Sequence, residues 1–478
     1  MNQAVYLTTT LPYVNADPHI GFALELVQAD TWARFKRRTG HEVFFNTGTD
    51  EHGLKIYRRA KEAGRDPKEY VDGLAEHFEA LKDLLDLSYD NFIRTTDGYH
   101  GRAAQAFWRR SAEAGDIYKR DYEIKYCVGC ELEKTESELV GGECPLHPGL
   151  PLEIIAEENY FFRFSKYADR LLTLYEAEPD FVRPGHRLTE IKNFVAGGLR
   201  DFSISRRKDK MPWGVPVPDD PGQVMYVWFD ALVNYVSAIG WPDDDNRFNH
   251  WWPVVQFAGK DNLRQQAAMW QAMLMSAGLP PSRQILIHGF LTADGRKMSK
   301  SLGNVVDPTL LVADYGTDAL RYYLLREANP FEDSDFTADG FCDAYNANLA
   351  NGLGNLVSRI LALAESHLPE EDWPAISSER IVDPAVDEPL ALGQFNQAMD
   401  AIWRRIGELD ERISIEQPFI VIKTDPLAGR TMIRSLVSDL AGIADRLEPF
   451  LPATAGRIKQ AILAKRKPPT PLFLRREE

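Results

Sequence analysis

The chain has 478 residues, of which 44% are hydrophobic and 26% charged, and its formal net charge is −16. This length suggests about three domains, and the composition excludes a disordered chain, a collagen and a coiled-coil rod. The acidic charge opposes non-specific nucleic-acid binding but leaves room for a local basic site. Because no apolar run approaches the roughly 20 residues that span a bilayer, and residues 1–5 lack the pattern of a signal peptide, we expect a cytoplasmic protein without membrane contact.

The first elements alternate between strand and helix. Residues 4–9 are rich in β-branched and aromatic side chains, which predicts a buried strand. Apolar residues at helical spacing predict a helix over 21–38. Residues 43–45 then predict a second strand that runs into a loop at 47–53. This order is typical of a doubly wound parallel sheet, so we expect an α/β, Rossmann-like fold.

The alternation breaks after the second strand and later resumes. Residues 116–215 are rich in turn signals and hold three of the four cysteines. Strand patterns return at 224–229, 254–257 and 284–287, so an insert splits the sheet domain. The expected domains are the first half of the α/β domain at 1–115, a connective insert with a zinc knuckle at 116–215, the second half at 216–339, an all-α helical bundle at 340–463 and a tail at 464–478.

The strongest metal signal is a Cys-x2-Cys pair followed by a Cys-x2-His pair, formed by Cys127, Cys130, Cys144 and His147. Three thiolates and one imidazole at this spacing are typical of a closed tetrahedral zinc site. A closed site has no open position for a substrate, so we interpret the Zn²⁺ as structural, in an insert without a large core. The alternative is that these four residues bind no metal.

Two short motifs indicate phosphate binding. His19 and Gly21 lie where the first helix begins, and free N–H groups at a helix start attract anions. Gly21 lets a phosphate approach the backbone, and His19 can donate a hydrogen bond to it, although a lone histidine here is more often a cap. Lys297 and Lys300 follow the last strand pattern on a loop that can close on a polyphosphate. The alternative for these lysines is a solvated basic loop.

The two motifs, His-Ile-Gly at 19–21 and Lys-Met-Ser-Lys-Ser at 297–301, resemble the paired signatures of class I aminoacyl-tRNA synthetases. The wider sequence resembles the methionyl-tRNA synthetases over essentially its whole length. The further matching stretches are 11–15, 48–53, the zinc knuckle, 226–231, 259–261 and 471–473. The resemblance implies an ATP-dependent, AMP-forming ligase that adenylates an amino acid and transfers it to tRNA, with Mg²⁺ accompanying the ATP.

The same resemblance implies residues for each partner. For ATP these are His19, Gly21, Gly259, Asp261, Lys297 and Lys300, among which His19, Lys297 and Lys300 are the catalytic set. For the amino acid they are Leu11, Tyr13, Asp50, Trp228, Ala231, Tyr235, Asn262 and Gln266. Asp50 matches the position that pairs with the α-amino group, and an aromatic pocket suits a thioether. For tRNA they are Asn355, Arg359 and Phe419, with Phe419 at the position of a stacking tryptophan.

Three positions depart from the family. Phe22 replaces the second histidine of the first signature and cannot donate a hydrogen bond, a loss of about 2.7–4 kcal/mol in the transition state. Asn262 and Gln266 replace an isoleucine and a histidine. Because they are four residues apart, both amides can face one cavity, which favours an amino acid more polar than methionine. In the alternative, the amides bond to each other, water or backbone, and methionine specificity is kept.

Three functional hypotheses follow. The first is a methionyl-tRNA synthetase that acts in translation. The second is a paralogue that adenylates an amino acid and passes it to a small-molecule amine or hydroxylamine acceptor in natural-product biosynthesis. The altered pocket favours this second hypothesis, whereas Asn355 and Arg359 oppose it. The third is a non-catalytic RNA-binding or regulatory homologue, which Phe22 supports and the intact lysine loop opposes.

Overall fold

A six-stranded parallel sheet organises the chain. The computed structural model describes residues 4–130, 132–134, 138–298, 303–377 and 379–476. The strands of this sheet and of the smaller sheets are, in chain order, β1 (Ala4–Thr8), β2 (Glu42–Thr49), β3 (Asn91–Arg94), β4 (Ile117–Cys127), β5 (Leu132–Lys134), β6 (Glu153–Phe162), β7 (Val182–Arg183), β8 (Phe202–Ser203), β9 (Ser205–Arg207), β10 (Gln223–Met225), β11 (Val254–Gly259), β12 (Gln284–His288), β13 (Leu291–Ala293), β14 (Arg296–Lys297) and β15 (Ser334–Phe336).

Helices cover both faces of the sheet and form the C-terminal part of the chain. The α-helices are α1 (Ile20–Arg38), α2 (Leu54–Glu62), α3 (Pro67–Glu79), α4 (Leu81–Leu84), α5 (Gly98–Glu113), α6 (Ala168–Ala177), α7 (Gly185–Ala196), α8 (Val227–Leu232), α9 (Asn234–Ser237), α10 (Asp245–Trp251), α11 (Trp270–Ser276), α12 (Pro308–Tyr315), α13 (Thr317–Tyr322), α14 (Ala338–Ala344), α15 (Asn355–His367), α16 (Pro384–Ala391), α17 (Phe395–Glu416), α18 (Pro418–Thr424), α19 (Pro426–Leu447) and α20 (Pro452–Leu463). Wider π-helical turns at Gln265–Met269, Tyr323–Glu327 and Tyr345–Gly354 adjoin α11, α13 and α15. No helix in the described ranges is both long and apolar enough to cross a bilayer.

The main sheet has the strand order β3-β2-β1-β11-β12-β7, and its pairs are parallel. Alternate residues of each strand enter opposite cores: Leu7 packs with the cluster around α1, whereas Tyr6 packs with the cluster around α5. Because both faces are covered, β1, β2, β11 and β12 contain short apolar runs rather than a strict alternation of apolar and polar residues. The expected α/β, doubly wound fold is confirmed.

The sequence prediction of a strand over 224–229 is wrong in its second half. Strand β10 ends at Met225 and pairs antiparallel with β9, outside the main sheet. Helix α8 begins at Val227, and its buried residue Asp230 is hydrogen-bonded to His52 and His100. The predicted strands at 254–257 and 284–287 are confirmed as β11 and β12, and the helix over 21–38 is confirmed as α1.

The segment 116–215 contains an antiparallel sheet in the order β5-β4-β6-β8, next to the cysteine-rich turn. The short strand β7 also comes from this segment, yet it pairs with β12 at the edge of the main sheet, with Val182 opposite Ile285. The chain therefore returns to the sheet within the segment that the sequence assigns to an insert. The domain limits themselves stay predictions.

The helical part shares its core with the sheet part. One cluster of buried residues runs from Leu7 in β1 through α1 to Leu436 in α19. Between its members Leu320 and Tyr322 lies the fully buried Arg321, whose guanidinium pairs with Asp30 of α1 at 2.9 Å. Arg321 also donates hydrogen bonds to the carbonyl oxygens of Phe450, at 2.7 Å, and Leu85, at 3.0 Å. These bonds join α1 to the link between α19 and α20.

Candidate active site

A crevice opens beyond the carboxyl ends of β1 and β11. The chain leaves β1 for β2 on one side and later supplies β11 on the other side, so the strand order reverses here. In open α/β sheets, ligands bind at such a switch point. A cavity of about 360 Å³, named the His19 cavity, lies at this point. Of the residues predicted for ATP, His19, Gly21, Gly259 and Asp261 line it.

His19 caps the N-terminus of the 19-residue helix α1. The Gly21 N–H donates a hydrogen bond to Nδ1 of His19 at 3.1 Å, which fixes the ring at the mouth of the helix. A Cβ at position 21 would lie 2.9 Å from Cε1 of this ring, so a side chain there would displace the imidazole. His19 can therefore both cap the helix and contact a phosphate, because the ring that caps the helix also lines the cavity.

Phe22 has a packing partner that the sequence does not reveal. Its ring meets that of Phe78 edge to face, with centroids 5.5 Å apart, in a small apolar cluster with Val14 and Ile56. Phe22 also lines the His19 cavity. The position of the family's second histidine is thus an apolar wall of the cavity.

Glu25, His288 and Thr10 form a site feature that sequence reasoning missed. Glu25 accepts hydrogen bonds from the backbone N–H and the hydroxyl of Thr10, both at 2.6 Å. Its other oxygen lies 2.8 Å from Nε2 of His288. Burial opposes the charged imidazole, but the hydrogen bond and charge of Glu25 outweigh it and raise the pKa of His288. An acidic residue on the apolar face of α1 is the signal that could have revealed this group.

A second cavity of about 290 Å³, named the Trp228 cavity, adjoins the first. The structure brings all the residues predicted for the amino acid to its wall: Leu11, Tyr13, Asp50, Trp228, Ala231, Tyr235, Asn262 and Gln266. The two cavities share the residues Thr10, Pro12, Tyr13, Asn15, Asp261 and Asn262. A ligand in one cavity therefore lies next to a ligand in the other.

The amide of Gln266 is bonded within the protein at both ends. Its oxygen accepts a hydrogen bond from Nε2 of Gln256 at 2.8 Å, and its nitrogen donates one to the Tyr235 hydroxyl at 2.8 Å. Ser282 and Gln271 extend this buried network. The alternative in which the amides are satisfied internally therefore describes Gln266.

Asn262 differs from Gln266 because it is partly exposed. Its amide nitrogen lies 3.4 Å from a carboxylate oxygen of Asp261, a long hydrogen bond. Asn262 lines both cavities, so its side chain faces the shared wall. Two amides are predicted to recognise a polar substrate. Asn262 makes no short internal hydrogen bond, so a ligand can bind its amide more readily than that of Gln266.

The cysteine-rich turn fits a zinc ion. The ligand atoms of Cys127, Cys130, Cys144 and His147 all lie within 4.8 Å of one another. The sulfurs of Cys130 and Cys144 are 3.5 Å apart, near the roughly 3.8 Å that follows from tetrahedral bonds of about 2.3 Å. Gly129 makes room for the imidazole, because a Cβ there would lie 2.5 Å from the His147 ring. The donor set and its spacing support the structural zinc site.

A comparison with known protein families identifies the family of this chain. The chain matches the family described as tRNA synthetases class I (M), over residues 5–149 and 149–361. The chain belongs to this family.

Individual relatives agree with the family match. The synthetase is 43% identical over 468 residues to a methionine–tRNA ligase of Caldanaerobacter subterraneus, covering 95% of this chain and 73% of the relative. It is 41% identical over 468 residues to that of Rhizobium meliloti, covering 95% and 90%. The structure of Mycobacterium tuberculosis methionyl-tRNA synthetase in complex with methionyl-adenylate matches with a TM-score of 0.91 at 37% identity, covering 99% of this chain and all of that one. Nothing in these comparisons favours a small-molecule acceptor.

The synthetase's lysine loop lies largely beyond the residues that the structure describes. Lys300 is outside the described ranges, and for Lys297 only the backbone is described, in β14. The intervening Met298 is nearly buried and lines the His19 cavity. The backbone that leads into the loop is therefore adjacent to the cavity, whereas the roles of the two lysines stay predictions.

The predicted tRNA-binding residues of the synthetase lie in its helical part. Asn355 and Arg359 are on the first turns of α15, and Phe419 is on α18 with 41% of its surface exposed. The Arg359 guanidinium pairs with Asp410 of α17. An RNA that binds Arg359 would therefore compete with the Asp410 carboxylate for this guanidinium.

Proposed function

We propose that the chain is a methionine–tRNA ligase, which activates methionine with ATP and transfers it to tRNA. The observation that carries this proposal is the pair of adjoining cavities. One is lined by four of the six residues predicted for ATP and the other by those predicted for the amino acid. The relatives named above support it, since they are methionine–tRNA ligases over nearly the whole length of this chain.

In the proposed first step, the methionine carboxylate attacks the α-phosphate of ATP and pyrophosphate leaves, giving methionyl-adenylate. Charge develops on the phosphates, so catalysis consists of positioning and electrostatic stabilisation. The N-terminus of α1 and His19 would hold the phosphates, while Gly259 and Asp261 would contact the nucleoside. Lys297 and Lys300 would neutralise the departing pyrophosphate. Mg²⁺, when bound with ATP, supplies further charge neutralisation.

Methionine is the amino acid that the pocket supports best. Trp228 and Tyr235 give the Trp228 cavity an aromatic wall, which suits a polarisable thioether. The buried amide of Gln266 is already hydrogen-bonded at its oxygen and at its nitrogen, so it needs no polar substrate side chain to satisfy it. Asp50 on the same wall would pair with the α-amino group.

The zinc site would have a structural role. Cys127, Cys130, Cys144 and His147 would supply all four ligands, which leaves no position for a substrate. Bound zinc supplies cross-linking of a turn that has little core of its own. Gly129 and Cys130 also line the Trp228 cavity, so the knuckle supports one wall of the amino-acid pocket.

For the second step we propose that Asn355, Arg359 and Phe419 contact the anticodon of the tRNA. Asn355 and Arg359 are four residues apart on α15 and so face one side. The exposed ring of Phe419 can stack on a base. Charging tRNA for translation would be carried out in the cytoplasm, which agrees with the expectation from composition.

The test is ATP–pyrophosphate exchange with each common amino acid, with charging of total tRNA measured in parallel. We expect exchange that is strongest with methionine, together with methionine transfer to tRNA. Exchange with a different amino acid, or AMP release without tRNA charging, would contradict the proposal and favour a small-molecule acceptor. Asp50→Asn is the matched variant: it should lose methionine-dependent exchange, because the α-amino group would have no carboxylate partner.

A further inference from the structure

A buried carboxylate with two imidazole partners lies behind the Trp228 cavity. Asp230 is fully buried on α8. One of its oxygens is 2.5 Å from Nδ1 of His52, and the other is 2.9 Å from Nε2 of His100. The remaining ring nitrogen of His100 is 2.9 Å from the hydroxyl of Ser237 on α9. We name Asp230, His52 and His100 the Asp230 triad.

The Asp230 triad connects two parts of the cavity wall that come from distant segments of the chain. His52 follows Asp50 by two residues in the loop after β2, whereas Asp230 lies between Trp228 and Ala231 on α8. Asp50, Trp228 and Ala231 line the Trp228 cavity, but no member of the triad does. The hydrogen bond between His52 and Asp230 therefore fixes one wall relative to the other without touching the cavity.

The bonds of the triad are charge-assisted. Burial alone would raise the pKa of Asp230, but the charge of His52 and the hydrogen bonds from both imidazoles outweigh burial and lower it to about 2. The carboxylate is therefore ionised at neutral pH. Hydrogen bonds to an ionised acceptor are shorter and stronger than neutral ones, and they are strengthened further in a dry interior. Such bonds are suited to holding a fixed distance.

We propose that Asp230 is a positioning residue for the amino-acid substrate, acting through His52 on the wall that carries Asp50 and through His100 on the placement of α8. This inference rests on the proposed function. Helix α8 contributes no residue to the His19 cavity. Loosening the Asp230 triad should therefore weaken methionine binding while ATP binding is unchanged.

The experiment compares two substitutions of His52. His52→Ala removes the donor, whereas His52→Asn places an amide N–H close to the position of Nδ1. Both variants lose the edge contact of His52 with the Trp213 ring, whose centroid is 5.3 Å away, so their difference reports the hydrogen bond. We expect His52→Ala to raise the KM for methionine about tenfold in pyrophosphate exchange, with the KM for ATP unchanged. His52→Asn should restore most of the loss.

A second pair of variants covers the case in which His52→Ala does not fold. His100→Gln keeps an N–H near the position of Nε2, whereas the shorter His100→Asn cannot reach Asp230. We expect the glutamine variant to have the lower KM for methionine. Equal changes in the two KM values, or asparagine no better than alanine at position 52, would overturn the inference. A wild-type chain without methionine-dependent exchange would instead contradict the proposed function.

Discussion

The side-chain nitrogen of Gln266 donates a hydrogen bond to the hydroxyl of Tyr235 at 2.8 Å, while the amide oxygen accepts one from Gln256 at the same distance. Both ends of this amide are thus occupied before any substrate binds. The amide is therefore satisfied without a polar substrate side chain, which could use only its second N–H or its second lone pair unless one of these bonds breaks. The departure from the family histidine therefore does not by itself predict a polar substrate.

The first prediction concerns this network. Gln266→Leu would leave the Gln256 amide without its partner and remove the donor to Tyr235. Each buried polar group left unsatisfied costs about 1–3 kcal/mol, so we expect the free energy of unfolding to fall by at least that amount in a denaturant titration. Asn262→Leu is the control, since its amide is partly exposed and makes only a 3.4 Å bond. If the two variants were equally stable, the hydrogen bonds of Gln266 would not contribute measurably to the free energy of unfolding.

The second prediction concerns Phe22. Phe22→His restores a hydrogen-bond donor at the wall of the His19 cavity, where one such donor is worth about 10²–10³ in rate. We expect kcat for adenylation to rise at least about tenfold. The variant should also be less stable, because the contact with Phe78 is lost. Phe22→Leu is the control: it should lower the melting temperature without a gain in kcat. A rate gain in both variants would show that the donor is not the cause.

The third prediction concerns the zinc knuckle. Gly129→Ala removes no ligand, but its Cβ would lie 2.5 Å from the His147 ring and push the imidazole away. We expect the zinc content of the purified protein, measured by atomic emission, to fall well below one equivalent. The KM for methionine should rise as well, because Gly129 lines the Trp228 cavity. Gly101→Ala, on a helix with open space at the Cβ, should bind zinc like the wild type.

The fourth prediction concerns pH. The pKa of His288 is raised in the folded protein from an ordinary value of 6.5, so the folded state binds this proton more tightly than the unfolded state. The stabilisation is fully present below that ordinary value and is lost as pH rises through the folded-state pKa. We expect the free energy of unfolding to fall as pH rises from about 6.5 into the alkaline range.

His288→Gln tests this assignment. Glutamine keeps a donor toward Glu25 but carries no charge, so its stability should be nearly independent of pH over that interval. Denaturant titrations at several pH values measure the difference between the two proteins. An equally steep fall in the variant would mean that another group is responsible.

The fifth prediction concerns the tRNA-binding side. Arg359 pairs with Asp410, and the two side chains are 35% and 46% exposed. Exposed pairs contribute about 0.2–1 kcal/mol, so Asp410→Asn should lower the KM for tRNA by up to about fivefold by releasing Arg359. Asp439→Asn is the matched control, since it removes one of the two carboxylates paired with Arg412 elsewhere in the bundle. If both variants lower the KM equally, the effect comes from overall charge and not from Arg359.

The sequence predicts β1, β2, β11 and β12 because each contains a run of apolar residues. Strands β11 and β12 lie where such runs occur. The run over 224–229 is also apolar, but the chain becomes helical after Tyr226. What distinguishes it is Asp230, whose partners His52 and His100 are 178 and 130 residues away along the chain. A local pattern contains no information about such distant partners.

The candidate site is likewise predicted only in part from the sequence. The family motifs locate both cavities, since four of the six residues predicted for ATP and all of those predicted for the amino acid line them. Glu25 was missed because it interrupts an apolar helix face, and its partner His288 is 263 residues away. The short strand β7 was missed because two residues are too few to produce a recognisable pattern. Both features become visible only when the fold brings distant segments together.

Arg321 connects the first helix of the chain to its C-terminal helical part. The same guanidinium is bonded to Asp30 on α1 and to the carbonyl oxygen of Phe450 in the link between α19 and α20. The helical part therefore cannot shift relative to α1 without disturbing the buried hydrogen bonds of one guanidinium. Because α1 begins at the residue after His19, the helix that carries the predicted phosphate site is anchored to the C-terminal part of the chain.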